Sequence, residues 1–275
     1  MQDEKKSSTL FRTKTIYYPP LQKRVNILLQ RNDGPCMLVA IFNSLVLKGK
    51  VKIEKNTYSA SEIIDVIRSY DSGVHGLSKV VHGFYVNPSF ESVTSFEEYP
   101  AFLRKLNIQM VHAMTPCKSQ KHYEIITHHN YDSLQLRLVE LESINSKEDE
   151  IKVLQSWNRK IQKQLTNAGI NEVESTLNEG DVCIFFRNSH FAVITKYQGH
   201  CYSLITCRGL GGQTASWHSL PSISGDFQYF DERFNITYCN PWEEAQVTEK
   251  KSQNDSTKVS KKHRKASKKS GCTIA

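Results

Sequence analysis

From Cys36 to Leu47 the chain is almost continuously apolar, whereas elsewhere apolar and polar positions alternate or stagger. A segment apolar on nearly every side predicts a helix buried on every side. Pro35 suits the first helical position, and Arg31-Asn32-Asp33-Gly34 reads as the turn that delivers the chain to it. Upstream, Met1 to Tyr18 reads as a polar lead-in followed by a short strand, broken at Pro19-Pro20, and Val25 to Leu29 is a short apolar segment ending at Gln30. Ser59 to Tyr70 is staggered as an amphipathic helix, with Ser59 placed to cap it and Glu62 to complete a capping box. Helices are also expected over Phe96 to Leu106, Tyr131 to Leu141 and Glu150 to Ala168, with Lys147 to Asp149 as a charged joint.

The last third changes character. Val182 to Phe186, Phe191 to Tyr197 and Cys201 to Cys207 are β-branched and aromatic runs, and Gln198-Gly199 reads as the tight turn of an antiparallel hairpin. Trp217 opens another short segment, and Phe230 to Tyr238 is the last stretch expected to be ordered. Helices first and sheet second give an α+β fold class without internal repeats, and a single domain over residues 15–240 after a flexible segment at 1–14. The 275 residues, 39% of them hydrophobic, can fill a real core. No uncharged apolar run reaches the roughly 18 residues of a membrane span, and Met1 to Thr9 lacks the apolar core of a secretory signal. Seven cysteines in such a chain point to reduced thiols in the cytosol.

Charge separates the chain into two parts. The formal net charge is +8, and residues 250–275 carry nine Lys and Arg against Asp255 alone, which accounts for all of it. The body is neutral, so composition gives a nucleic-acid partner no support. Residues 241–275 read as a disordered basic tail closing on Cys272-Thr273-Ile274-Ala275. That is a C-a-a-X box, whose terminal Ala favours a farnesyl group, behind Lys261, Lys262, Arg264, Lys265, Lys268 and Lys269. One lipid chain anchors weakly, and the basic run supplies the second attraction to an anionic membrane surface. The expectation is a cytoplasmic protein with peripheral membrane association; a basic tail ending in Cys by chance is the alternative.

A thiol at the start of a buried helix meets partial positive charge and free N–H groups, which favour a thiolate and stabilise an oxyanion. Cys36 holds that place, and Gln30, six residues upstream, can present an amide as a second oxyanion donor. His190, just ahead of the Phe191–Tyr197 strand, supplies an imidazole on a separate rigid element. Thiol on a central helix and imidazole on an antiparallel sheet is a papain-like arrangement. Equally, a Cys in an apolar helix is commonly a small buried hydrophobe and an isolated His a surface residue. No CxxC occurs, and His112, His122 and His128-His129 lack a tetrahedral partner pattern, so neither metal nor other cofactor is expected.

The string Gln30-Arg-Asn-Asp-Gly-Pro-Cys36-Met-Leu-Val-Ala-Ile-Phe-Asn43 resembles the active-site motif of the MINDY deubiquitinases, Q-x-x-N/D-G-P-C-P-L-x-A-I-x-N. Glu179-Gly180-Asp-Val-Cys-Ile-Phe-Phe-Arg187-Asn188-Ser189-His190-Phe191 is similar to the family's E-G-E-L-x-V-F-F-R-N-N-H-F, and Leu165-Thr166-x-x-Gly169-x-x-Glu172 resembles the segment leading into it. The likeness runs from about Thr15 to about Asp231. It implies a cysteine isopeptidase acting on polyubiquitin, typically Lys48-linked (the number is ubiquitin's own). Cys36 is then the nucleophile, His190 the general base, Gln30 the oxyanion side chain and Thr206 the residue orienting the imidazole. Two departures are visible: Met37 stands where the family has Pro, and Thr206 is followed by Cys207-Arg208-Gly209 instead of Asp-Gln-Gly. A ubiquitin-binding pseudoenzyme of low activity is the alternative. The glycine-bearing stretch Val74 to Phe96, with Phe84, Val86 and Phe90, is the candidate ubiquitin-contacting surface, or else ordinary connecting structure.

Overall fold

The computed structural model describes residues 10–30, 34–144, 148–207 and 214–238. The Arg31-Asn32-Asp33 part of the expected turn, Arg208, and the tail with Cys272 lie outside the described residues.

Strands β1 (Phe11–Tyr18) and β2 (Lys23–Leu28) form an antiparallel hairpin, joined by a 3-10 turn at Pro19–Leu21 that ends on Gln22 at φ 51°. β1 starts ahead of the expected boundary at residue 15 because Phe11 is a core side chain, 1% exposed. A short β3 (Thr57–Tyr58) pairs on its other edge. The chain then enters α1 (Cys36–Leu47), buried without a break from Met37 to Leu47 as its uniform apolarity predicts. The one amide in that helix is used structurally. Asn43 accepts the Leu28 N–H at 2.7 Å and donates to the Leu28 carbonyl at 2.9 Å, satisfying backbone groups of β2, an edge strand of this sheet.

The second sheet has seven strands in the order β10-β9-β8-β7-β6-β5-β4. These are β4 (Met110–Val111), β5 (Val182–Arg187), β6 (His190–Tyr197), β7 (His200–Leu204), β8 (Trp217–Ser219), β9 (Tyr229–Phe230) and β10 (Ile236–Thr237). Only the β4–β5 pairing is parallel. α1 lies across β5 and β6, covering the face that carries Ile184, Phe186, Phe191 and Val193. The opposite face, with Cys183, Phe185 and Ile194, packs beneath α7 (Asn167–Thr176).

α2 (Ala60–Tyr70) starts at the predicted capping box, with Ser59 and Glu62 bonded reciprocally. The helix expected over Phe96 to Leu106 is confined to α3 (Ala101–Lys105). Pro100 cannot donate into an earlier turn, and the residues before it pair sideways: Phe96 bridges to Pro88 and the Glu97 N–H bonds to the Asn87 carbonyl. α4 (Tyr123–Thr127), α5 (Tyr131–Ile144) and α6 (Glu148–Lys160) close their own core around Phe90, Leu134, Leu138 and Trp157. The stretch expected to continue to Ala168 breaks after α6, because the Thr166 hydroxyl accepts the Gly169 N–H and starts α7 there. Gly169 sits so close to β4's continuation that a Cβ would lie 2.1 Å from the Ala113 carbonyl oxygen. Among the described residues no helix is long and apolar enough to cross a membrane.

Candidate active site

Pro35 takes the N-cap, one place earlier than expected, and Cys36 is the first helical residue of α1. The first-turn N–H groups of a helix lack intrahelical acceptors, so they point outward around the half-buried Cys36 thiol. The core of α1 fixes this end: Asn43 ties β2 to the helix, and β2 leads directly into Gln30. Gln30 is held on both sides. Its backbone N–H donates to the Thr206 carbonyl at 2.6 Å within a parallel bridge to Cys207, and its side-chain Nε2 donates to the Gly34 carbonyl at 3.2 Å. The Cys36 helix is thereby stitched to the segment that follows β7.

His190 opens β6, directly after a two-residue turn in which Asn188 and Ser189 both take left-handed backbone, at φ 50° and 56°. Two such residues make a type I′ hairpin, whose twist matches that of the strands. The tip is anchored: Gln164 accepts the Asn188 N–H at 2.6 Å, and Arg187 Nε donates to the Lys163 carbonyl at 3.0 Å. The His190 ring has solvent access, yet the protein around it desolvates it enough to hold its pKa below the ordinary imidazole value.

Strand alternation decides which way these groups face. Phe191 and Val193 point to α1, so His190 and Ala192 belong to the other face. There a cavity of about 480 Å³ is lined by Gln30, His190, Thr206, Cys207 and His218, with Phe227 and Tyr229 on its far side. Three of the four residues expected at the site (Gln30, His190 and Thr206) therefore meet in one cavity. Cys36 stands on the α1 side, outside the cavity wall, and among the described residues no hydrogen bond joins its Sγ to His190.

Two further lining residues are given no site role by the sequence: His218, which carries no signal at all, and Arg187, which stands inside the histidine block. His218 follows the buried Trp217 on β8, and a three-residue strand is too short to show a periodic pattern. Its Nδ1 lies 2.8 Å from the Ser219 carbonyl, and burial lowers its pKa, with the nearby His190 and Arg187 adding to the effect. Arg187 is likewise lowered by burial. Both belong to the row of cavity-facing positions that the β5–β6–β7–β8 register defines.

The remaining described thiols separate by environment. Cys183 and Cys201 are buried, and desolvation raises both, Cys201 to about 12, which leaves them protonated and inert. Cys117 is exposed, and its hydrogen bonds with Ser119 lower its pKa. Among the described residues no group of three or more His, Cys, Asp or Glu could hold a metal ion.

The expected contact surface needs correction. Phe90 is fully buried, edge-on to Trp157 with centroids 5.5 Å apart, and Val86 is 5% exposed; both are consumed by packing. Phe84 is half-buried against Phe102 and Phe191, and the exposed aromatic of the stretch is Tyr85, at 70%.

The sequence profile of the family described as "MINDY deubiquitinase" matches residues 9–234. Among curated proteins, the human "Ubiquitin carboxyl-terminal hydrolase MINDY-2" is 27% identical over 244 residues, covering 78% of this chain and 39% of the relative. The zebrafish (Danio rerio) "Ubiquitin carboxyl-terminal hydrolase MINDY-1" is 26% identical over 249 residues, covering 80% and 48%. The human protein of that name is 27% identical over 241 residues, covering 77% and 51%. The chain thus spans about half or less of the length of these relatives. With most of the described residues inside the family match, this chain belongs to the MINDY deubiquitinase family.

Proposed function

We propose that this chain is a thiol isopeptidase that hydrolyses polyubiquitin, with Lys48-linked chains (ubiquitin's numbering) as the preferred substrate. The observation that carries the reading is the joint between Gln30 and Thr206-Cys207, which brings the N-terminal end of the Cys36 helix to the sheet that bears His190. In the reaction, the Cys36 thiolate attacks the isopeptide carbonyl carbon. The oxyanion accepts hydrogen bonds from the first-turn N–H groups of α1 and from Gln30 Nε2, which turns from the Gly34 carbonyl to do so. Protonated His190 gives its proton to the departing lysine amine as the C–N bond breaks, leaving a ubiquitin thioester on Cys36. Neutral His190 then takes a proton from water, whose oxygen attacks the thioester carbonyl and releases the carboxylate and the thiol. Thr206 is assigned the orienting role, from the cavity wall beside the ring. Catalytic hydrogen bonds are often long or unmade in substrate-free proteins and close in the complex, and bound ubiquitin is assigned that closing role for Cys36 and His190. Phe84, packed on Phe191, and the exposed Tyr85 beside it in sequence are the proposed apolar contact for ubiquitin.

The test is the intact mass of the protein after incubation with a ubiquitin probe bearing a C-terminal electrophile, beside Cys36→Ala. One adduct, lost in the variant, is expected, and a linkage panel of diubiquitins and longer chains then tests the Lys48 preference. Polyubiquitin binding without an adduct or chain cleavage would replace the reading by that of a ubiquitin-binding pseudoenzyme. Membrane attachment is a separate proposal, supported by the Cys272-Thr273-Ile274-Ala275 box and the basic run before it. It predicts incorporation of a farnesyl analogue that Cys272→Ser abolishes; equal incorporation in both would refute it.

A further inference from the structure

Beyond Gln30, His190 and Thr206, the cavity carries side chains that the hydrolytic reaction does not use. His190 supplies the proton to the leaving amine, so the chain that bears the acceptor lysine must lie on His190's side of the scissile bond. The cavity that His190 lines lies on the sheet face that carries Arg187 and His218, opposite the face packed on α1, with Gln30, Thr206 and Cys207 also in its lining. The strand register places these groups together. Arg187 lies opposite His190 on β5, while Ser203 on β7 pairs with both Ile194 and His218, so all these side chains share one face.

Three basic side chains, Arg187, His190 and His218, enter this wall, and among the described residues no Asp or Glu lines it. The rest is largely apolar, and Phe227, 43% exposed, packs over the His218 ring at 4.8 Å. A concave apolar site with a few convergent basic groups and no counter-charge suits an apolar side chain with a carboxylate beside it.

We propose that this cavity is the acceptor-side specificity pocket, binding a peptide segment next to the isopeptide-linked lysine that carries a bulky apolar side chain and an adjacent acidic one. The proposal rests on the isopeptidase reading above. Arg187 provides the standing charge: its Nε is committed to the Lys163 carbonyl, which fixes the guanidinium at the cavity edge. His218 provides a second donor once protonated, its ring held by the Ser219 carbonyl and by Phe227. Burial lowers the pKa of both groups, and the charge of an entering carboxylate opposes that shift by favouring their protonated forms.

The experiment uses the full chain and ubiquitin joined through its C-terminus to the lysine side chain of short peptides. One peptide carries Leu and Glu beside the lysine, one Leu and Lys, one Ala and Glu. The expected result is a kcat/KM about tenfold higher for the Leu-Glu peptide than for the Leu-Lys peptide, a discrimination of the size one well-placed charge supplies. His218→Glu is expected to invert that ratio, and Phe227→Ala to narrow the gap between the Leu-Glu and Ala-Glu peptides. Because each readout is a ratio within one protein, lost stability does not imitate it, and the wild-type panel decides even if a variant fails to fold. Cleavage of all three peptides at rates within twofold overturns the pocket assignment and leaves the isopeptidase reading standing. Failure to cleave any of them, with no adduct from the electrophilic probe, overturns the isopeptidase reading itself.

Discussion

His112 makes acid stability a direct test of how this sheet is held together. Its side chain is fully buried beside β4, with Nε2 3.1 Å from the Ser95 carbonyl and Nδ1 3.1 Å from the Met114 N–H. A carbonyl only accepts and an N–H only donates, so the ring is the neutral Nε2–H tautomer with both nitrogens used. A second proton would break the Met114 bond and place a charge where no carboxylate answers it. Burial accordingly pushes the pKa from 6.5 down to about 4. The sign follows. Below pH 6.5 the unfolded chain takes up a proton that the folded chain refuses until about pH 4, so the stability present above 6.5 drains away across that window. Each pH unit crossed within it removes about 1.4 kcal/mol, so the loss from this one group is about 2 kcal/mol by pH 5 and about 3 kcal/mol by pH 4. The assay is urea unfolding at half-unit steps from pH 7 to 4, on the wild type and on His112→Gln, an uncharged side chain that can still donate and accept. The difference in unfolding free energy between the two should shrink by those amounts as the pH falls. His129 and His218, also lowered by burial, cancel in the difference. Parallel curves for the two proteins from pH 6.5 to 4 would refute the reasoning.

Three further outcomes are expected. Asn43→Leu leaves the Leu28 N–H and carbonyl buried without partners and should cost about 2–5 kcal/mol, read as a lower urea midpoint at an unchanged slope. Gly169→Ala drives a methyl into the Ala113 carbonyl and should cost more than about 3 kcal/mol, with the loss seen as a fall in melting temperature; a change below about 1 kcal/mol would mean that the close approach is not real. Gln30→Ala should lower kcat on diubiquitin by about 10²–10³-fold with KM little changed, and an equal rise in KM at constant kcat would deny it an oxyanion role.

The parts of the fold legible in the sequence are those with a local cause. The all-apolar run from Cys36 to Leu47 has no stable place except inside, and α1 is there. Ser59 and Glu62 satisfy each other within one turn, so the start of α2 needs nothing from the rest of the chain. Gln198-Gly199 closes the β6–β7 hairpin between strands already marked by their residue types. Where a distant partner decides, the pattern fails. Phe96 and Glu97 look helical but bond to Pro88 and Asn87. Phe90 and Phe84 are equivalent in an aromatic, glycine-bearing stretch, until Trp157 buries one and Phe191 borders the other.

The candidate site divides along the same line. Cys36 and Gln30 are legible because six residues and a helix start define their relation, and His190 because a strand begins beside it. What the sequence does not show is the side of the sheet on which each group works. That depends on the joint register of four successive strands, β5 to β8, through the pairs Arg187–His190, Ile194–Ser203 and Ser203–His218, and on which face of them α1, from far earlier in the chain, covers. A shift of one residue in the β7–β8 pairing would turn His218 into the core and Trp217 into the cavity. The anchors of that register are buried aromatics, with Trp217 packed on Phe234 at 4.9 Å and on Tyr18 at 5.9 Å. Residues that look purely structural therefore decide which basic side chains share the cavity with His190, and with them the lining of the proposed acceptor-side pocket.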